Sequence, residues 1–122
     1  MNIKERSELV HQQIDDLTEK YRGLSCVSSS SPLSVSGKLS FSAQYNGVSI
    51  QDEYIVEITV PEDYPEILPT AKEIGGRISK DFHTYPDNTL CLGSPIETRI
   101  KFRKQETLLG FVEDLLIPFL YA

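Results

Sequence analysis

Leu33-Ser34-Val35-Ser36-Gly37-Lys38-Leu39-Ser40-Phe41-Ser42-Ala43-Gln44-Tyr45-Asn46-Gly47 alternates apolar and polar residues almost throughout and closes on the pair preferred at the centre of a tight hairpin. Leu33, Val35, Leu39, Phe41, Ala43 and Tyr45 share one face, with serines, Lys38 and Gln44 on the other. This period of two predicts a half-buried strand, bulged or bent near Gly37. Beyond the turn, Tyr54, Val56, Ile58 and Val60 carry the same period, so two long antiparallel strands are expected.

Upstream, Ile3, Ser7, Val10, Ile14, Leu17 and Tyr21 recur at steps of four and three among charged residues. That spacing predicts an amphipathic N-terminal helix, with Gly23 as a left-handed cap and the serine run at 28–31 as a connecting loop. Downstream, Pro61, Pro65 and Pro69 deny the backbone regular hydrogen bonding, which predicts a rigid, ordered loop. A short strand is expected around 70–74, and Gly75-Gly76 then makes a turn. After a charged stretch to Lys104, Leu108, Leu109, Phe111, Val112, Leu115 and Leu116 fit a second, more apolar helix that ends at Pro118.

Composition limits what such a fold does. The chain has 122 residues, enough for one core, and residues 1–122 are read as a single domain of α+β class. Twelve basic residues against eighteen acidic give a net charge of −6, with no Lys/Arg cluster, so nucleic acid is not an expected partner. No apolar run approaches the length of a membrane span, and no secretory leader pattern opens the chain, so a cytoplasmic location is expected. Cys26 and Cys91 lack the paired spacing of a zinc site; both are read as reduced thiols, and no metal or cofactor is expected.

The chemistry-bearing stretch is His83-Thr84-Tyr85-Pro86-Asp87-Asn88-Thr89-Leu90-Cys91-Leu92. Cys91 follows an irregular Pro-Asp-Asn segment, where a thiol can be reached, although a free cysteine taken alone is more often an inert, buried small side chain. His83 can deprotonate a thiol, orient a loop or cap a turn, and spacing alone does not choose among these. His11 falls on the polar side of the first helix. No third member of a protease-like triad is apparent, which leaves a cysteine hydrolase as the weakest reading.

The order of helix, hairpin strands, Tyr64-Pro65…Pro69 loop, short strand, His83, Leu90-Cys91-Leu92 and apolar helix resembles the ubiquitin-conjugating enzyme (UBC-like) fold over nearly the whole chain. The resemblance implies an N-terminal helix, an antiparallel meander sheet, an active-site loop and a crossover helix, with the family's further C-terminal helices expected to be absent. It also implies that Cys91 is the thioester-forming cysteine. The family's His-Pro-Asn element is represented by His83-Thr84-Tyr85, so its asparagine has no counterpart at the usual place; Asn88, His83 or backbone amides are left to hold the oxyanion. This departure is similar to the divergent bacterial branch found in antiphage, CBASS-like operons.

The implied function is transfer. Cys91 accepts the C-terminal carbonyl of a ubiquitin-like protein, or the C-terminus of a cGAS-like nucleotidyltransferase, and passes it to an amine; an activating enzyme is an implied partner. A free thiol ionises near ~8.5, so modest activation suffices when the donor is already a thioester. His83, Asp87 and Asn88 are the candidate supports of the site; Asp87 and Glu97 are candidates, on position alone, to orient an attacking lysine, with solvated loop charge as the alternative reading of both. The rival reading is a non-catalytic UBC/RWD-like interaction module, a class that shares the fold and the tyrosine-proline loop but generally lacks the cysteine.

Overall fold

A computed structural model describes residues 2–28, 32–79 and 83–121. Helix α1 spans Ile3–Lys20 and buries Val10, Ile14 and Leu17 of the expected stripe together with Gln13, while Ile3 and Ser7 at its start are exposed and Tyr21 is half-buried. Asn2 caps it, its side chain accepting from the Glu5 amide. Four strands follow, β1 (Leu24–Ser28), β2 (Leu33–Tyr45), β3 (Val48–Val60) and β4 (Thr70–Glu73), in an antiparallel sheet ordered β1-β2-β3-β4.

The central hairpin sets the register. Asn46 (φ 52°) and Gly47 (φ 77°) both occupy the left-handed region, which matches the twist of the flanking strands. Val35 therefore opposes Ile58, and Leu39 opposes Tyr54. Val35, Leu39, Val56 and Ile58 are fully buried on the face shared by directly paired residues. The serines of β2 alternate with them and lie on the opposite face.

Two local expectations change. The β2–β3 ladder runs without interruption through Gly37, opposite Val56, so no bulge occurs there; the irregularity lies between Cys26 and Ser28 of β1. Gly23 does not cap α1 with a left-handed conformation, because Tyr21 is the C-cap. A Cβ on Gly23 would meet the Lys38 carbonyl at 2.2 Å, and one on Gly37 (φ 137°) would meet the Gly23 carbonyl at 2.1 Å. The two glycines thus permit β1 to approach β2. Strand β1 lacks a predictive pattern because only Leu24 in it is buried. Most of the expected serine loop, at 29–31, lies outside the described residues.

Beyond the sheet the helical content exceeds the single expected element. Helix α2 spans Pro95–Phe102, opened by a capping box between Ser94 and Glu97 with Pro95 in the first turn. A second helical run covers 108–121 as α3 (Leu108–Phe111), a π-helical segment (Val112–Leu116) and α4 (Ile117–Tyr121). The helix continues through Pro118 rather than ending there. The Ile117 amide reaches back to the Val112 carbonyl, and this wider turn accommodates the proline ring that a regular α-helix would exclude.

This run packs on the same core as α1, burying Leu108, Phe111, Val112, Leu115, Leu116, Ile117 and Leu120. Tyr54 Oη donates to the Leu120 carbonyl at 3.1 Å, tying its end to β3. The apolar tail residues are thereby engaged: Tyr121 packs edge-on to Tyr45, with ring centroids 5.9 Å apart. No helix among the described residues is long and apolar enough to cross a membrane.

Candidate functional site

Cys91 lies on a small hairpin that spacing alone does not reveal. Thr84 bridges antiparallel to Leu90, the Cys91 amide donates to the His83 carbonyl at 2.7 Å, and the Tyr85 amide donates to the Thr89 carbonyl at 2.9 Å. His83 is thus directly opposite Cys91 in the ladder. At the tip, the Asn88 amide donates to the Tyr85 carbonyl at 2.8 Å, and Asn88 itself is left-handed at φ 72°. Asparagine tolerates that conformation better than most residues, so Pro86-Asp87-Asn88 forms a compact turn. The Leu90 amide donates to the Ala71 carbonyl at 2.8 Å, which docks the hairpin on β4.

The candidate supports divide by what they touch. Asp87 accepts from the Thr89 amide at 3.0 Å and from its hydroxyl at 2.6 Å. These hydrogen bonds hold its carboxyl below the usual carboxylate range and commit the side chain to closing the turn. His83 adopts φ 50° and sets its ring edge-on to Phe119, with centroids 6.2 Å apart, while its carbonyl receives the Cys91 amide. Asn88 shapes the tip through its backbone. Glu97 is engaged in the capping box of α2, where its carboxylate accepts from the Ser94 amide at 3.4 Å.

The thiol itself is half-buried. Its sulfur lies 3.5 Å from Tyr85 Oη and 4.0 Å from the Gly93 carbonyl. Hydrogen bonding to Cys91 and the charge of its thiolate push the Tyr85 phenol above its ordinary pKa. Tyr85 is the residue that the linear reading missed. In the ladder it opposes Thr89 and is therefore diagonal to Cys91, a separation that an aromatic side chain spans. Its place in the motif carries a signal only once the stretch is recognised as a hairpin.

A groove of about 780 Å³ runs between the proline-rich loop, the residues that flank Cys91 and α2. Ile67, Ile96 and Ile100 line it and are exposed, while Tyr85, Leu92 and Gly93 form its wall near Cys91. Arg99 fastens the proline-rich loop to α2, donating to the Pro65 carbonyl at 3.2 Å and also to the Glu66 carbonyl. Within that loop Tyr64, which precedes a cis proline, is fully buried. Its hydroxyl donates at 2.5 Å to Gln13 Oε1, which also accepts from the Leu108 amide at 3.0 Å. One buried side chain thereby joins α1, the loop and the C-terminal helical run.

Among the described residues no group of three or more His, Cys, Asp and Glu is placed to hold a metal ion. Cys26 is exposed on β1, its thiol 3.2 Å from the Ser28 carbonyl. Neither a family model nor a curated protein matches this chain.

Proposed function

We propose that the chain is a UBC-like acyl carrier in which Cys91 holds a protein C-terminus as a thioester and passes it to an amine. The observation that carries this reading is the position of Cys91: a half-buried thiol on a pinned hairpin whose flanking residues Leu90, Leu92 and Gly93 line a groove together with the proline-rich loop. The order of elements around it supports the UBC-like assignment, with an N-terminal helix, antiparallel strands and a helical run after the cysteine. In the first step the Cys91 thiolate attacks the donor thioester carbonyl; the new C–S bond forms as the donor's C–S bond breaks, and the donor thiol leaves. In the second an amine attacks, the C–N bond forms, the Cys91 C–S bond breaks, and the amine's proton passes to solvent.

The proposed donor is a ubiquitin-like protein or the C-terminus of a cGAS-like nucleotidyltransferase, loaded by an activating enzyme in antiphage defence. A glycine-ending peptide supplied as a C-terminal thioester tests the core of the reading, with intact mass as the readout. The expected result is a hydroxylamine-sensitive adduct on Cys91 that Cys91→Ala abolishes and Cys26→Ser retains. Acylation of the more exposed Cys26 alone, or an adduct that survives Cys91→Ala, overturns it.

A non-catalytic interaction module is the second reading, favoured by the exposure of Ile67, Ile96 and Ile100 along one groove. On that reading the peptide thioester leaves Cys91 unmodified.

A further inference from the structure

We propose that Tyr85 is a catalytic residue, its phenol donating a hydrogen bond to Cys91 Sγ whenever that sulfur carries negative charge. The pair is already in contact with the thiol donating, Sγ–H to Oη at 3.5 Å, and loss of the thiol proton reverses the direction so that the phenol donates. The Gly93 carbonyl, 4.0 Å from Sγ, can only accept and does nothing for an anion. The Tyr85 backbone is held on both sides, its amide and carbonyl each closing a rung or turn of the hairpin, and the half-exposed side chain extends from it to the sulfur. With its pKa raised above the ordinary phenol value, Tyr85 stays protonated at neutral pH and acts as a donor rather than a base.

The consequence for transfer rests on the acyl-carrier reading. Sulfur is anionic at both ends of that cycle, as the thiolate that attacks and as the thiolate that leaves when the amine displaces it. One donor at 3.5 Å from Sγ serves both moments. The proton stays on the phenol throughout, and the amine's proton goes to water.

The test needs no acyl donor, so it can fail independently of the acyl-carrier reading. In a Cys26→Ser background, the rate of alkylation by iodoacetamide is followed by intact mass across a pH series, with and without Tyr85→Phe. Loss of a charge-assisted hydrogen bond to the sulfur is expected to slow alkylation about threefold on the low-pH side of the profile. Thr89→Val, which removes one bond to Asp87 without touching the phenol, is the control for hairpin geometry and should leave the profile in place. Profiles that superimpose with and without Tyr85→Phe, or an equal displacement by Thr89→Val, overturn the proposal.

Discussion

Replacing Gln13 by methionine should cost about 3 kcal/mol of folding stability, although the substitution puts an apolar side chain into an apolar interior. Gln13 is 7% exposed, and its Oε1 is shared by Tyr64 Oη at 2.5 Å and the Leu108 amide at 3.0 Å. Methionine keeps the volume but leaves both buried donors without a partner, at roughly 1–3 kcal/mol each. Against a total stability on the order of 5–15 kcal/mol, that is a large fraction. Tyr64→Phe removes only one of the donors. The ring keeps its edge-on contact with Phe102, whose centroid is 6.1 Å away, and Gln13 still accepts from Leu108, so the cost should be about 1 kcal/mol. With Tyr64→Phe already in place, Gln13→Met orphans a single donor, and the double variant should therefore be more stable than the sum of the singles by about 1–2 kcal/mol. Urea unfolding of the four proteins measures this directly, with slopes expected to agree. Strict additivity, or a Gln13→Met cost under about 1 kcal/mol, would refute the shared-acceptor argument.

Gly23→Ala and Gly37→Ala should each lower stability far more than Gly47→Ala, because the first two place a Cβ within 2.2 and 2.1 Å of backbone carbonyls while nothing lies within 4 Å at Gly47. Thermal unfolding gives the ranking, with Gly47→Ala paying only for its left-handed φ, about 1 kcal/mol. Ser94→Ala should cost about 1 kcal/mol by opening the α2 capping box, again read from urea midpoints. Asp87 and Asp52 are held below the usual carboxylate range by hydrogen bonds from Thr89 and Arg77 respectively, so each stabilises the fold above the unfolded value near ~3.9 and loses that contribution as pH falls through its lower folded value. Asp87→Asn and Asp52→Asn should therefore be less stable than the parent at pH 7, with the gap closing on acidification; a gap that widens toward low pH contradicts the sign.

The elements legible in the amino-acid sequence are those whose own periodicity encodes their burial. Helix α1 and the β2–β3 hairpin belong here, since every second or every third-to-fourth residue faces the core and Asn46-Gly47 supplies the turn. Helix α2 is locally encoded too, by Ser94-Pro95 and Glu97, but its exposed Ile96 and Ile100 blur the amphipathic pattern. Strand β1 carries no such pattern, because backbone proximity between Gly23 and Gly37 seats it.

The site divides in the same way. Cys91 stands out in sequence through its place after the Tyr64-Pro65 loop in the UBC-like order of elements, because a free cysteine taken alone reads more often as an inert thiol. Its environment does not, because the partners of a side chain depend on which strands lie opposite one another. Register places Tyr85 diagonal to Cys91, whereas Asp87 meets Thr89 two residues away inside the turn, a local contact. Gln13 shows the limit most plainly: on a helix it reads as one more polar residue, and only the meeting of α1 with the Tyr64 loop and the start of α3 turns it into a buried acceptor. Periodicity reports how a segment divides its own faces between water and core, whereas the pairing of distant polar groups exists only after that core has formed.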